Sequence, residues 1–174
     1  MLLNLQVKNL ALIEKAEVSF SEGLNILTGE TGAGKSIIIG SVNMALGGKT
    51  SRDMIRQGAD YAYVELVFSV DDPVKRKRLE ELDLDLPEDG TIIISKKIMP
   101  TRSLSKINDE TVTTGRLKEI TSLLIDIHGQ HEHQSLLYKS KHLQILDVYA
   151  RSQTQPLKEK ISVNYHQYQE VLKA

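Results

Sequence analysis

Leu3, Leu5 and Val7 alternate with polar neighbours, which predicts a first strand with one face in water. Residues 16–20 predict a second strand, and the turn Ser21-Glu22-Gly23 separates it from a third at residues 24–28. That third strand leads directly into a glycine-rich loop. After the loop, residues 37–46 are apolar enough for a buried helix, stopped at Gly47-Gly48. Alternation returns over residues 61–70 as a strand, and residues 73–82 form a short charged helix opening on proline. Residues 91–98 and 103–107 are strands, the second turning at Asn108-Asp109 into Thr111-Val112. Residues 115–124 have helical spacing and end near the apolar stretch Leu123-Leu124-Ile125.

The tail has a different period. Leu157, Ile161, Tyr168 and Val171, with Asn164 in the intervening slot, are spaced alternately four and three apart. That is the heptad spacing of a coiled coil, though over fewer heptads than define one. An amphipathic helix lying on the domain surface fits the same positions. The expected division is therefore residues 1–150 as one domain and 151–174 as the start of a long helix.

Composition narrows the classes. The 174 residues suffice for one domain with its own core, and 40% hydrophobic with 26% charged residues is globular usage. A formal net charge of -1 gives no global basic field, so any DNA contact must come from a local patch or a partner. No cysteine is present, which excludes disulfides and thiolate metal sites. The opening residues lack a basic segment followed by a long apolar run, and charges interrupt every apolar stretch. The expectation is a cytoplasmic protein without a membrane span.

The chemistry is densest in the glycine loop. Gly29, Gly34, Lys35 and Ser36 satisfy the pattern G-x-x-x-x-G-K-S, with Glu30, Thr31, Gly32 and Ala33 between them and Ile37 following. Glycines let successive backbone N–H groups turn inward around phosphate, and the helix that follows adds its positive end. Lys35 is expected to bridge the β- and γ-phosphates of ATP, and the Ser36 hydroxyl to ligate Mg2+. Strand, glycine loop and helix in that order separate a phosphate-binding loop from a chance glycine turn. A kinase-type glycine loop fits less well, because Lys35 lies inside the loop.

Hydrolysis needs a second acidic motif, an apolar strand ending in Asp. The nearest candidate is Leu123-Leu124-Ile125-Asp126, but Ile127-His128 follows, so no catalytic Glu adjoins Asp126. A core strand with Asp126 facing solvent fits better. The segment Ile127-His128-Gly129-Gln130-His131-Glu132-His133-Gln134 invites a zinc reading, yet Ser135 breaks the His-Glu-x-x-His spacing. Two readings remain: a solvated polar loop, or Gln130 reaching Mg2+ or the attacking water through its neutral amide. Among basic residues, Lys75-Arg76-Lys77-Arg78 is compensated by Glu80-Glu81. Lys96, Lys97, Arg102 and Lys106 cluster around a hairpin, as a phosphate-contacting surface or as protection of exposed strands. Arg52 and Arg56 have either a nucleotide or DNA contact or ordinary salt bridges.

Three segments carry a resemblance. Leu3-Asn4-Leu5-Gln6-Val7-Lys8-Asn9-Leu10-Ala11-Leu12-Ile13, the loop from Thr28 to Ser36, and Asp126-Ile127-His128-Gly129-Gln130-His131-Glu132-His133-Gln134-Ser135-Leu136-Leu137 are similar to the RecN family. These are bacterial ATPases of DNA double-strand-break repair, related to the SMC proteins. The resemblance runs from Met1 to about Leu146. It implies an α/β fold, the N-terminal lobe of an ABC-type ATPase head with a mixed sheet and helices, and residues 157–174 as the start of a coiled coil. It implies Gln130 as the Q-loop glutamine that senses Mg2+ and γ-phosphate. The signature motif, the Walker B Asp-Glu and the switch His of such heads lie in a C-terminal lobe, and none is found in this sequence, so no catalytic set is complete within it. The implied partners are that lobe, a second head engaged through ATP, and DNA bound by the complete protein near the nucleoid. Two alternatives stay open: a small P-loop kinase or GTPase-like switch, and a nucleotide-gated interaction module without turnover.

Overall fold

The structure, a computed structural model, describes residues 1–28, 33–127, 143, 146, 147 and 149–173. Two units follow each other, residues 1–126 and 127–174.

The first unit is built on a six-stranded sheet: β1 (Leu2–Leu10), β2 (Ile13–Ser19), β3 (Ala62–Ser69), β4 (Thr91–Ile98), β5 (Ser103–Ile107) and β6 (Glu110–Val112), in the spatial order β2-β1-β3-β4-β5-β6. Every pairing among the described residues is antiparallel. Period-2 alternation divides each strand between two faces. Leu5 and Val7, Val64, Leu66 and Phe68, Ile92 and Ile94, and Ile107 are buried on one of them. Helices α1 (Ala33–Ala45), α2 (Pro73–Glu80) and α3 (Thr114–Leu124) supply Met44, Ala45, Leu79, Leu117 and Ile120 to the same core. Local chemistry sets the helix ends. The carboxylate of Asp72 accepts from the Val74 N–H at 2.8 Å with Pro73 behind it, and the Thr113 hydroxyl accepts from the Arg116 N–H at 3.3 Å.

Two expected strands are absent. Residues 24–28 have no strand pairing, and Leu24 and Ile26 are 85% and 72% exposed. Their apolar pattern suits a strand, but no neighbouring strand is described beside them to complete one. Leu123 and Leu124 close α3 instead of forming a core strand. The helical stripe Leu117, Ile120, Leu124 runs through them and claims them for the helix. Asp126 is exposed, as expected, but on an irregular segment.

In the second unit, α4 (Arg151–Lys173) carries Pro156 within its first two turns. Leu157, Ile161, Tyr168 and Val171 are 59%, 67%, 57% and 75% exposed, so the apolar stripe lies open to solvent. Among the described residues no helix is long and apolar enough to cross a membrane.

Candidate functional site

The phosphate loop and its helix are the first element of the site. Gly29, Glu30, Thr31 and Gly32 lie outside the described residues, as does the side chain of Ala33. Gly34, Lys35, Ser36 and Ile37 form the first turn of α1, with Lys35 half-buried and Ser36 exposed. One face of α1 is anchored: Ile37, Ile38 and Val42 pack against the core, Met44 and Ala45 are buried within it, and the buried Ser41 hydroxyl donates to the Ile38 carbonyl at 2.7 Å. The other face is not: Ile39 is 51% exposed and Gly40 is open, so the helix expected to be buried is half-buried.

The far end of α1 is fixed with more contacts. Gly47 has φ +102, its N–H donates to the Met44 carbonyl at 3.2 Å, and the Gly48 N–H donates to the Asn43 carbonyl at 3.0 Å. This is a Schellman closure, which needs glycine where φ is positive. Two side chains then cap the exposed carbonyls. The Lys96 ammonium donates to the Gly48 carbonyl at 3.2 Å, and the Thr121 hydroxyl shares its one proton between the Leu46 carbonyl at 3.4 Å and the Lys118 carbonyl of its own helix at 3.3 Å. A cation at the C-terminal end of a helix also complements its dipole. Lys96 is 3% exposed, and burial, helped by the nearby Lys118 charge, holds its pKa below the ordinary lysine range.

The hairpin β1–β2 stands in the same unit. Its turn has positive φ at Asn9 and Ala11, and Arg56 holds it. The Arg56 N–H donates to the Asn9 carbonyl at 2.9 Å and its guanidinium to the Leu12 carbonyl at 2.8 Å, 4.0 Å from Glu14. Arg56 thus takes the local, bridging role, and Arg52 sits exposed in a 3-10 turn.

The expected basic cluster is divided by the pleat. Lys96 faces the core, Lys97 the opposite face, Lys106 stands 3.8 Å from Asp109, and Arg102 is exposed ahead of β5. Sequence reasoning passed over Lys8 and Lys15, which sit on the same outer face as Lys97, and the alternation in β1 and β2 was the available signal. The pair Asp109-Glu110 was also passed over; it falls in the β5–β6 turn with Asp109 at φ +67, not at the end of an apolar strand. Gln130 and the histidines 128, 131 and 133 lie outside the described residues. Among the described residues no cluster of His, Asp or Glu could hold a metal ion.

Residues 4–173 match the family described as AAA domain. The chain belongs to that family. Within it, this AAA domain is 42% identical over 171 residues to the DNA repair protein RecN of Halalkalibacterium halodurans, covering 97% of this chain and 30% of that protein. It is 39% identical over 176 residues to RecN of Bacillus subtilis, covering 99% of this chain and again 30% of the relative. The chain therefore spans about a third of the length of these relatives. Among solved structures, the Smc head domain with an extended coiled coil from Pyrococcus furiosus, bound there to the C-terminal domain of ScpA, superposes with TM-score 0.62. It is 23% identical and covers 97% of this chain and 46% of that one. A structure described under ATP-driven dimerization and DNA-stimulated activation of SMC ATPases gives TM-score 0.60 at 21% identity, covering 94% of this chain and 97% of that one. The AAA domain is thus RecN-like in sequence and has the fold of the N-terminal lobe of an SMC-type ATPase head.

Proposed function

We propose that this AAA domain holds Mg·ATP at Gly29 to Ile37 as part of a RecN-like ATPase acting in DNA double-strand-break repair. The observation that carries it is the complete G-x-x-x-x-G-K-S loop running into a helix whose far end is fastened to the sheet. Backbone N–H groups and the helix end take the phosphates, Lys35 the β- and γ-oxygens, and Ser36 with Gln130 the Mg2+. Relatives named as RecN support the repair role, and head structures described as dimerizing with ATP support engagement of two heads. In that reading ATP covered by a second head couples its hydrolysis to binding or tethering DNA.

The exposed Leu24, Ile26 and Leu27 fit an apolar strand that pairs with parts of the protein beyond this chain, the C-terminal lobe. The open stripe Leu157, Ile161, Tyr168 and Val171 fits a coiled coil leading there, with residues 1–150 as head and 151–174 as its first turns. Without that lobe, residues 1–174 turn ATP over negligibly.

Gln130 distinguishes this reading from a simple nucleotide-gated module. In the full-length protein, Gln130→Ala is expected to lower kcat without a matching rise in KM, as a contact made mainly in the transition state does. Steady-state phosphate release measures it. Normal turnover in Gln130→Ala would remove the Q-loop role, and sensitivity to zinc chelation and to changes at His131 or His133 would replace it with a metal site.

A further inference from the structure

The outer face of the sheet, away from α1, carries a row of cations that the nucleotide site does not use. Strand register places Lys15 opposite Lys8, Lys8 opposite Tyr63, and Tyr63 opposite Lys97. The row crosses four neighbouring strands, β2-β1-β3-β4. Together with Tyr61, these side chains line a groove of about 420 Å³.

Like charges directly opposite each other on a sheet oppose folding, so Lys8 against Lys15 is a cost the sheet carries. Carboxylates stand one row away and are engaged by other groups. Glu17 accepts from the side-chain amides of Asn4 and Gln6 at 3.2 and 3.4 Å, and Glu65 accepts from the Tyr63 hydroxyl at 2.5 Å. Among the described residues none of the three lysines forms an ion pair. Instead, the Lys97 ammonium sits 4.2 Å and the Lys8 ammonium 5.9 Å from the centre of the Tyr61 ring. A ring under two ammonium groups holds them in place while leaving their N–H donors for an anion. Tyr61 thus favours one placement of the Lys8 and Lys97 ammonium groups before any ligand arrives, which lowers the entropy cost of binding there.

We infer that the row Lys15, Lys8, Lys97 around Tyr61 is a docking surface for the sugar-phosphate backbone of DNA. Three strand spacings of about 4.8 Å make the row about 14 Å long, a length that corresponds to about four base-pair rises of about 3.4 Å along a duplex axis. A single small anion would not need cations spread over that length. Contact is through lysines alone, so recognition is of the phosphate track and independent of base sequence. The Glu17 and Glu65 row repels the same track and confines it to one line across the strands. This surface rests on the DNA-directed role proposed above and gives that role its contact residues.

The test uses the full-length protein carrying Lys8→Gln, Lys15→Gln and Lys97→Gln together, with fluorescence anisotropy of labelled duplex and single-stranded oligonucleotides across a salt series. The slope of log affinity against log salt is expected to fall by about 2–3, since each lost phosphate contact contributes about 0.9 on a duplex. Affinity at low salt is expected to fall at least about tenfold, while ATP affinity by calorimetry stays at its wild-type value. A charge-matched variant on the solvated helix α2, Lys75→Gln, Lys77→Gln and Arg78→Gln, is expected to bind DNA nearly as wild type does. Wild-type affinity and slope in the row variant would overturn the inference while leaving the repair ATPase reading in place. So would equal losses in the α2 variant, which would mean a net-charge effect, or loss of ATP affinity in place of DNA affinity. A wild-type protein that binds no DNA would overturn both.

Discussion

The ammonium of Lys96, in the middle of β4, donates to the Gly48 carbonyl at 3.2 Å, tying the central sheet to the end of the helix that the phosphate loop opens. Lys96 occupies a slot between Ile94 and Ile98, where the alternation of β4 calls for an apolar residue. Its stem fills the core and its charged end reaches a helix terminus that has carbonyls to offer.

Lys96→Ala is expected to destabilise the domain by about 1–3 kcal/mol, through loss of a charge-assisted bond and of stem packing. Lys96→Met, which keeps the stem and removes the charge, is expected to recover much of that loss. The pH dependence has a definite sign. Folding depresses the Lys96 pKa from 10.5, so at alkaline pH the unfolded chain holds a proton that the folded one releases. Stability from this group therefore rises with pH towards 10.5, and the Met variant lacks that rise. Denaturant unfolding at several pH values measures both effects; equal slopes in the two proteins would mean that folding leaves the Lys96 ammonium as easy to deprotonate as in the unfolded chain.

Tyr63 titrates in the opposite sense. Burial first, and then the hydrogen bond to Glu65, push its phenol up from 10.0 to about 12. A raised folded pKa means that its contribution to stability is present below 10.0 and is lost as pH rises through about 12. The difference in phenolate absorbance between wild type and Tyr63→Phe is expected to show a midpoint near that upper value. Glu65→Gln is expected to lower the midpoint but leave it above 10.0, because burial is the larger cause. A midpoint at the ordinary tyrosine value would contradict the packing around this ring.

The strands were legible wherever a period of two persisted between two apolar neighbours. Thr91–Ile98 and Ser103–Ile107 fall at the expected bounds because each has strands on both sides to satisfy its pattern. Residues 24–28 have the same kind of pattern and no such neighbours among the described residues, and a strand requires partners that its own sequence does not supply. The phosphate loop was legible because its glycines and Lys35 are contiguous. The Lys8, Lys15, Lys97 row was not, because it exists only through pairing register, which brings Lys8 and Lys97, 89 residues apart in the chain, into one row through Tyr63. Adjacent lysines at 96 and 97 suggested one cluster, and the pleat sent them to opposite faces.

The proposed role depends on ATP binding at the loop, and Lys35 is the side chain that tests it most directly. Isothermal calorimetry with Mg·ATP, on wild type and on Lys35→Ala shown to be folded by circular dichroism, is the measurement. The expected result is a saturable site in the wild type and at least about a tenfold loss of affinity in the variant, since each 1.4 kcal/mol of a lost charge-assisted contact is a factor of ten. Equal affinities in the two proteins, or no binding by the wild type, would contradict it.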